Sequence, residues 1–114
     1  MPPRYRRPKP PGAVVVLVTC PNQKVGERIG RTLVQERLAA CASIVPGVTS
    51  IHRWQGKVSR DAEILLVIKT QKARLASLMR RVEGIHPYSV PEILALSLTA
   101  GSAPYLAWMR EATG

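Results

Sequence analysis

Two stretches of this chain are apolar at every position. Val14–Val18 reads VVVLV, inside a β-branched segment over Ala13–Thr19, and Ile64–Ile68 reads ILLVI. A strand with one wet face alternates apolar and polar residues, so unbroken runs predict strands covered on both faces. Helices packed on one side of a sheet would leave its other side bare. Something must therefore cover the second face, because a large exposed apolar patch is a liability. A short terminal helix can cover part of it, and a partner subunit is the larger possibility. Neither run reaches the ~20 residues that a membrane helix needs, and no membrane role is expected.

The rest of the chain supplies the helices. Asn22 follows the first run and is a plausible N-cap. Val25, Ile29 and Leu33 recur at helical spacing, which predicts a helix over 23–38. Gly26 and Gly30 lie on an adjacent stripe and permit close packing. A second strand is predicted over 42–54, with a bulge or bend at Pro46-Gly47. Gln55-Gly56 signals a tight turn into a third strand over 58–70. Leu75, Leu78, Met79 and Val82 place a second helix over 72–83, with Gly84 expected as its left-handed cap. A fourth strand is expected over 92–99. Ser102 and Pro104 open a short final helix. The order βαββαβ predicts an α+β, ferredoxin-like split βαβ fold, with an antiparallel sheet in the order 4-1-3-2.

The formal net charge is +10, which raises the question of nucleic acid. Four of the basic residues, Arg4, Arg6, Arg7 and Lys9, lie in a proline-rich segment over 1–12 that has no aliphatic residue. That segment is expected to be a disordered or polyproline-like arm, dispensable for folding and retained rather than cleaved as a signal peptide. The domain then spans 13–114. The remaining excess charge is scattered and not interleaved with aromatic residues, so nucleic-acid binding is not expected. Cys20 and Cys41 form neither a disulfide framework nor a CxxC pair, which fits reduced thiols in a cytoplasmic protein. No GxSxG, HExxH or P-loop pattern occurs, and no enzymatic role is expected.

The segments VTCPN (18–22), ERLAAC (36–41), IVPGVTSI (44–51), LLVIKT (65–70), HPY (86–88), PEI (91–93) and YLAW (105–108), with the W-x-GK of Trp54–Lys57, resemble the CutA family of divalent-cation tolerance proteins. The resemblance implies a non-enzymatic homotrimer of ferredoxin-like protomers, similar in architecture to the PII-like signalling trimers. It also implies a link to tolerance of copper and other divalent metals. Trp54 is assigned to a subunit contact, and Ile64, Leu66 and Ile68 to the trimer packing.

His86, Cys20 and Glu92 are the candidate metal ligands. His86 sits on a loop fixed by Pro87, Cys20 closes the first strand, and Glu92 opens the fourth. Those strands are neighbours in the expected topology, and thiolate, imidazole and carboxylate suit copper or zinc. A purely structural role stands beside this: His86 bonded to a backbone carbonyl, Cys20 a buried small hydrophobe, Glu92 paired with a basic residue. The alternative function is a PII-like sensor that binds a small anionic ligand between subunits, with Lys57, Lys69 and Lys72 as contacts.

Overall fold

The first apolar run becomes strand β1 (Ala13–Cys20), and Asn22 then starts helix α1 (Gln23–Gln35). The Asn22 Oδ1 accepts the Val25 N–H at 2.9 Å, which satisfies one of the free donors of the first turn. α1 stops short of the expected Leu38. Arg37 adopts a left-handed φ of 58°, and the Leu38 and Ala39 amides both donate to the Leu33 carbonyl. These features come from a computed structural model that describes residues 11–114. The expected arm falls largely on residues 1–10, outside the described residues.

Strands β2 (Cys41–Trp54) and β3 (Lys57–Gln71) form one long hairpin. Its register slips between Val45 and Val48, at the Pro46-Gly47 bulge. Gln55 and Gly56 both have positive φ, 50° and 79°, the backbone of a two-residue hairpin turn. A 3-10 turn (Lys72–Arg74) leads into helix α2 (Leu75–Ile85). Gly84 is not the left-handed cap expected of it: it lies inside α2, and the helix ends before Pro87. His86 takes an extended ψ of 137°, as the residue before a proline tends to do. Strand β4 (Leu94–Ser97) is shorter than expected and leaves Glu92 in the preceding loop. Helix α3 (Ala103–Ala112) starts at Ser102, whose Oγ accepts the Tyr105 N–H at 3.4 Å.

The sheet order is β2-β3-β1-β4, all antiparallel. This is the predicted split βαβ arrangement. α1 and α2 pack on one face. Ile29, Leu33, Leu78 and Val82 meet Val14, Val16, Val18 and Cys20 of β1 and Ile64, Leu66 and Ile68 of β3. Gly26 makes the close approach possible, since a Cβ there would lie 2.5 Å from the Ile64 Cδ1.

The assignment of Ile64, Leu66 and Ile68 to subunit packing is therefore corrected. All three are buried in the protomer's own core, beneath the helices. Period-2 alternation sends Leu65 and Val67 to the other face, where Val15 and Leu17 of β1 pair beside Leu96 and Leu94 of β4. α3 covers one end of that face, with Met109 against Ala13 and Ala40. Leu94 and Leu96 remain 57% and 53% exposed.

Candidate metal centre and cleft

β1 pairs with β3 only as far as Cys20 opposite Ile64, so the hairpin runs on beyond the four-stranded sheet. The loop after α2 folds against this step. His86 fixes it there. The Nε2–H of the buried imidazole donates to the Thr19 carbonyl at 2.8 Å, and Nδ1 accepts the Tyr88 N–H at 3.0 Å. A carbonyl can only accept and an amide N–H only donate, so these partners assign the proton to Nε2. Neither nitrogen is left free for a metal.

The same contact sets Tyr88 beside the His86 ring, with centroids 4.7 Å apart. The Tyr88 hydroxyl donates to Oε2 of Glu63 at 2.9 Å. Burial, and then the bond to Glu63 and its negative charge, raise the Tyr88 phenol well above its usual range. Across the hairpin, His52 Nε2 lies 3.4 Å from Asp61 Oδ2. Asp61 pairs with Ser50, so the His52 contact is a diagonal one between neighbouring positions of the ribbon. These groups line a cleft of about 640 Å³, together with Trp54, Val90 and Glu92.

The three predicted ligands are not brought together as a metal site. Cys20 is fully buried under the helices, and burial, with the charge of Glu63, pushes its thiol up to about 11. It is therefore a protonated small hydrophobe near neutral pH, whereas a thiolate is what binds metal. Glu92 is exposed on the cleft wall and makes no ion pair among the described residues. Among those residues no group of three or more His, Cys, Asp or Glu side chains is placed to hold an ion. The His86–Cys20–Glu92 set thus does not fit a ready-made metal site.

The candidate anion contacts do not converge either. Lys57 and Lys69 sit on one strand twelve residues apart, roughly 40 Å at strand rise. The Lys69 Nζ instead bonds Ser43 Oγ at 2.6 Å, and Lys72 follows β3 at its far end. Trp54 is half exposed at the hairpin tip.

The profile of the CutA1 divalent ion tolerance protein matches residues 14–112. The chain belongs to that family. The divalent-cation tolerance protein CutA of Thermus thermophilus is 53% identical over 100 residues, covering 88% of this chain and 97% of its own length. The human protein CutA is 46% identical over 104 residues, and this chain spans 58% of its length. Solved structures agree. CutA from Xylella fastidiosa superposes with a TM-score of 0.88 at 39% identity, covering 90% of this chain and 99% of its own. The Thermus thermophilus structure gives 0.87 at 52% identity, with the same coverage. The family and these relatives are named for tolerance of divalent ions.

Two pairs in the cleft escaped the sequence reading, Tyr88–Glu63 and His52–Asp61. The second was within reach. A two-residue turn at Gln55-Gly56 fixes the ribbon register, which makes Asp61 a diagonal neighbour of His52.

Proposed function

We propose that the chain acts as a non-enzymatic homotrimer in divalent-metal tolerance, with copper the metal of first interest, in the cytoplasm. One observation carries the oligomer: the apolar second face of the sheet, where Val15, Leu17, Leu65 and Val67 adjoin the exposed Leu94 and Leu96. A second copy has the same uncovered face and supplies matching apolar area. Membership of the metal-tolerance family carries the metal role. Because the described residues of one protomer do not gather three His, Cys, Asp or Glu donors, copper would be held between subunits, with Glu92 exposed to contribute.

Light scattering after size exclusion tests the assembly, with three protomers expected and a stable monomer at micromolar concentration refuting it. Copper calorimetry on the wild type, Glu92→Gln and His86→Ala tests the metal. The proposal expects Glu92→Gln to weaken binding. His86→Ala, with the trimer verified, should change it less, because His86 is bonded within the protomer. No copper binding by the wild-type trimer would remove copper from the proposal.

A further inference from the structure

Cys41 and Lys69 face each other across the first pair of the β2–β3 ladder. Directly opposed residues of an antiparallel pair hold their Cβ atoms ~4.5–5.5 Å apart, so their side chains meet. The Lys69 Nζ lies 3.7 Å from the Cys41 Sγ and donates to the Ser43 Oγ at 2.6 Å. Ser43 Oγ is itself 3.8 Å from the sulfur. The phenol of Tyr105, on α3, adjoins the same thiol; burial, and then the Cys41 neighbour, raise it above its ordinary range. Among the described residues the Lys69 ammonium bonds only these neutral groups and enters no ion pair. The two cysteines differ in access. Cys20 is fully buried, whereas Cys41 is partly open to solvent. A partly exposed thiol beside an ammonium is the setting of oxidisable cysteines.

Here the nearest reactive group to the sulfur is a second nucleophile. We infer that Cys41 and Lys69 form a peroxide-driven, thiol-reversible sulfenamide cross-link. The Cys41 sulfur attacks one oxygen of hydrogen peroxide and the O–O bond breaks. The other oxygen leaves as water with the thiol proton, and a sulfenic acid remains. Lys69, having given one proton to solvent, then attacks that sulfur. An S–N bond forms, the S–OH bond breaks, and hydroxide leaves as water with the second amine proton. Sulfur is oxidised by two electrons and peroxide is reduced to water. Sulfenic acids condense in this way with a neighbouring thiol or nitrogen. Because the two residues are already paired in register, the strands need not move. The link also replaces an ammonium by an uncharged group. Alternation puts Lys69 on the same face as Leu65 and Val67, so oxidation removes a charge from the apolar second face of the sheet.

This site does not depend on the metal role. The metal-stripped full-length protein is treated with hydrogen peroxide at mildly alkaline pH, quenched with catalase, and read by mass spectrometry intact and after trypsin. The expected product is lighter by about 2 Da, the two hydrogens lost in closing the S–N bond. Its tryptic map joins the Cys41 peptide to the Lys69 peptide, and dithiothreitol restores the starting mass. Cys41→Ser and Lys69→Arg should abolish the product. Cys20→Ala should keep it, which separates it from an internal disulfide of the same mass. The wild-type map carries the test if a variant lowers stability. Cys41 unmodified by peroxide would overturn the inference. So would its conversion to a sulfinic acid with Lys69 free, its capture as a disulfide between two copies, or survival of the lighter product in Lys69→Arg.

Discussion

The bond between Tyr88 and Glu63 can be measured by a double-mutant cycle of Tyr88→Phe and Glu63→Gln. Tyr88→Phe deletes the hydroxyl that serves the buried carboxylate at 2.9 Å. A hydrogen bond to a charged group contributes about 1.5–3 kcal/mol. Glu63 is 9% exposed but Tyr88 is 36% exposed, so water replaces part of the lost bond and the cost falls to the low end of that range and somewhat below it. Tyr88→Phe should cost about 1–2 kcal/mol. Glu63→Gln keeps a carbonyl acceptor but loses the charge, and a neutral bond is roughly half as strong. The coupling read by the cycle should therefore be about 1 kcal/mol. Urea unfolding followed by far-UV circular dichroism, at one fixed protomer concentration, supplies the four stabilities. With a slope of about 2 kcal/mol/M, Tyr88→Phe moves the midpoint down by roughly 0.5–1 M. A coupling within about 0.3 kcal/mol of zero, inside the ordinary scatter of additivity, would show that Tyr88 does not serve Glu63 and that water does.

The two faces of β3 should respond differently to substitution. Leu66→Ala, at a fully buried position, should cost about 2–5 kcal/mol of stability by urea titration, whereas Leu65→Asp on the opposite face should lower the mass seen by light scattering while leaving the far-UV spectrum intact. Gly26→Ala should destabilise by about 1–3 kcal/mol, despite a helix-propensity gain of about 1 kcal/mol, because the added Cβ meets Ile64 at 2.5 Å; a stabilised variant would show that Ile64 yields freely. Cys20, with its thiol raised from 9.0 to about 11, holds its proton more tightly folded than unfolded. Its contribution is therefore full below pH ~8.5–9 and is lost as pH climbs toward the folded value. Wild-type stability should fall more steeply than that of Cys20→Ala over that window, and parallel curves would refute the assignment. In the native protein at pH 8, iodoacetamide should leave Cys20 unmodified, as read by mass spectrometry.

The sequence told the fold well because its strongest signals were local and mutually consistent. Two unbroken apolar runs, the Asn22 cap, the Pro46-Gly47 bulge and the Gln55-Gly56 turn each dictated an element that the structure contains. Gly84 misled because an exposed glycine is tolerated inside a helix and Pro87 was the stronger stop signal. The face assignment on β3 failed for a different reason. When a strand is apolar on both sides, alternation separates the sides but does not say which one the helices cover. His86 and Glu92 were singled out from donor chemistry and their place at the strand ends. Which of His86's nitrogens were free depended on Thr19 and on the Tyr88 amide, and no side-chain pattern encodes a backbone partner. Glu63 is not singled out by the sequence because its burial comes from a loop that returns from more than twenty residues downstream.

The chain has no phenylalanine and no aromatic residue belongs to either core cluster, while both tryptophans are peripheral: Trp54 is 51% exposed at the hairpin tip and Trp108 is 44% exposed on α3. Indole emission in this molecule is thus a reporter of its margins. Loosening of the interior between α1, α2 and the sheet would leave both chromophores in nearly the same surroundings, and the emission spectrum would hardly move. Docking of a neighbour against the hairpin would change it directly. Replacing one tryptophan at a time would separate the two signals and give an optical readout of assembly without any added label.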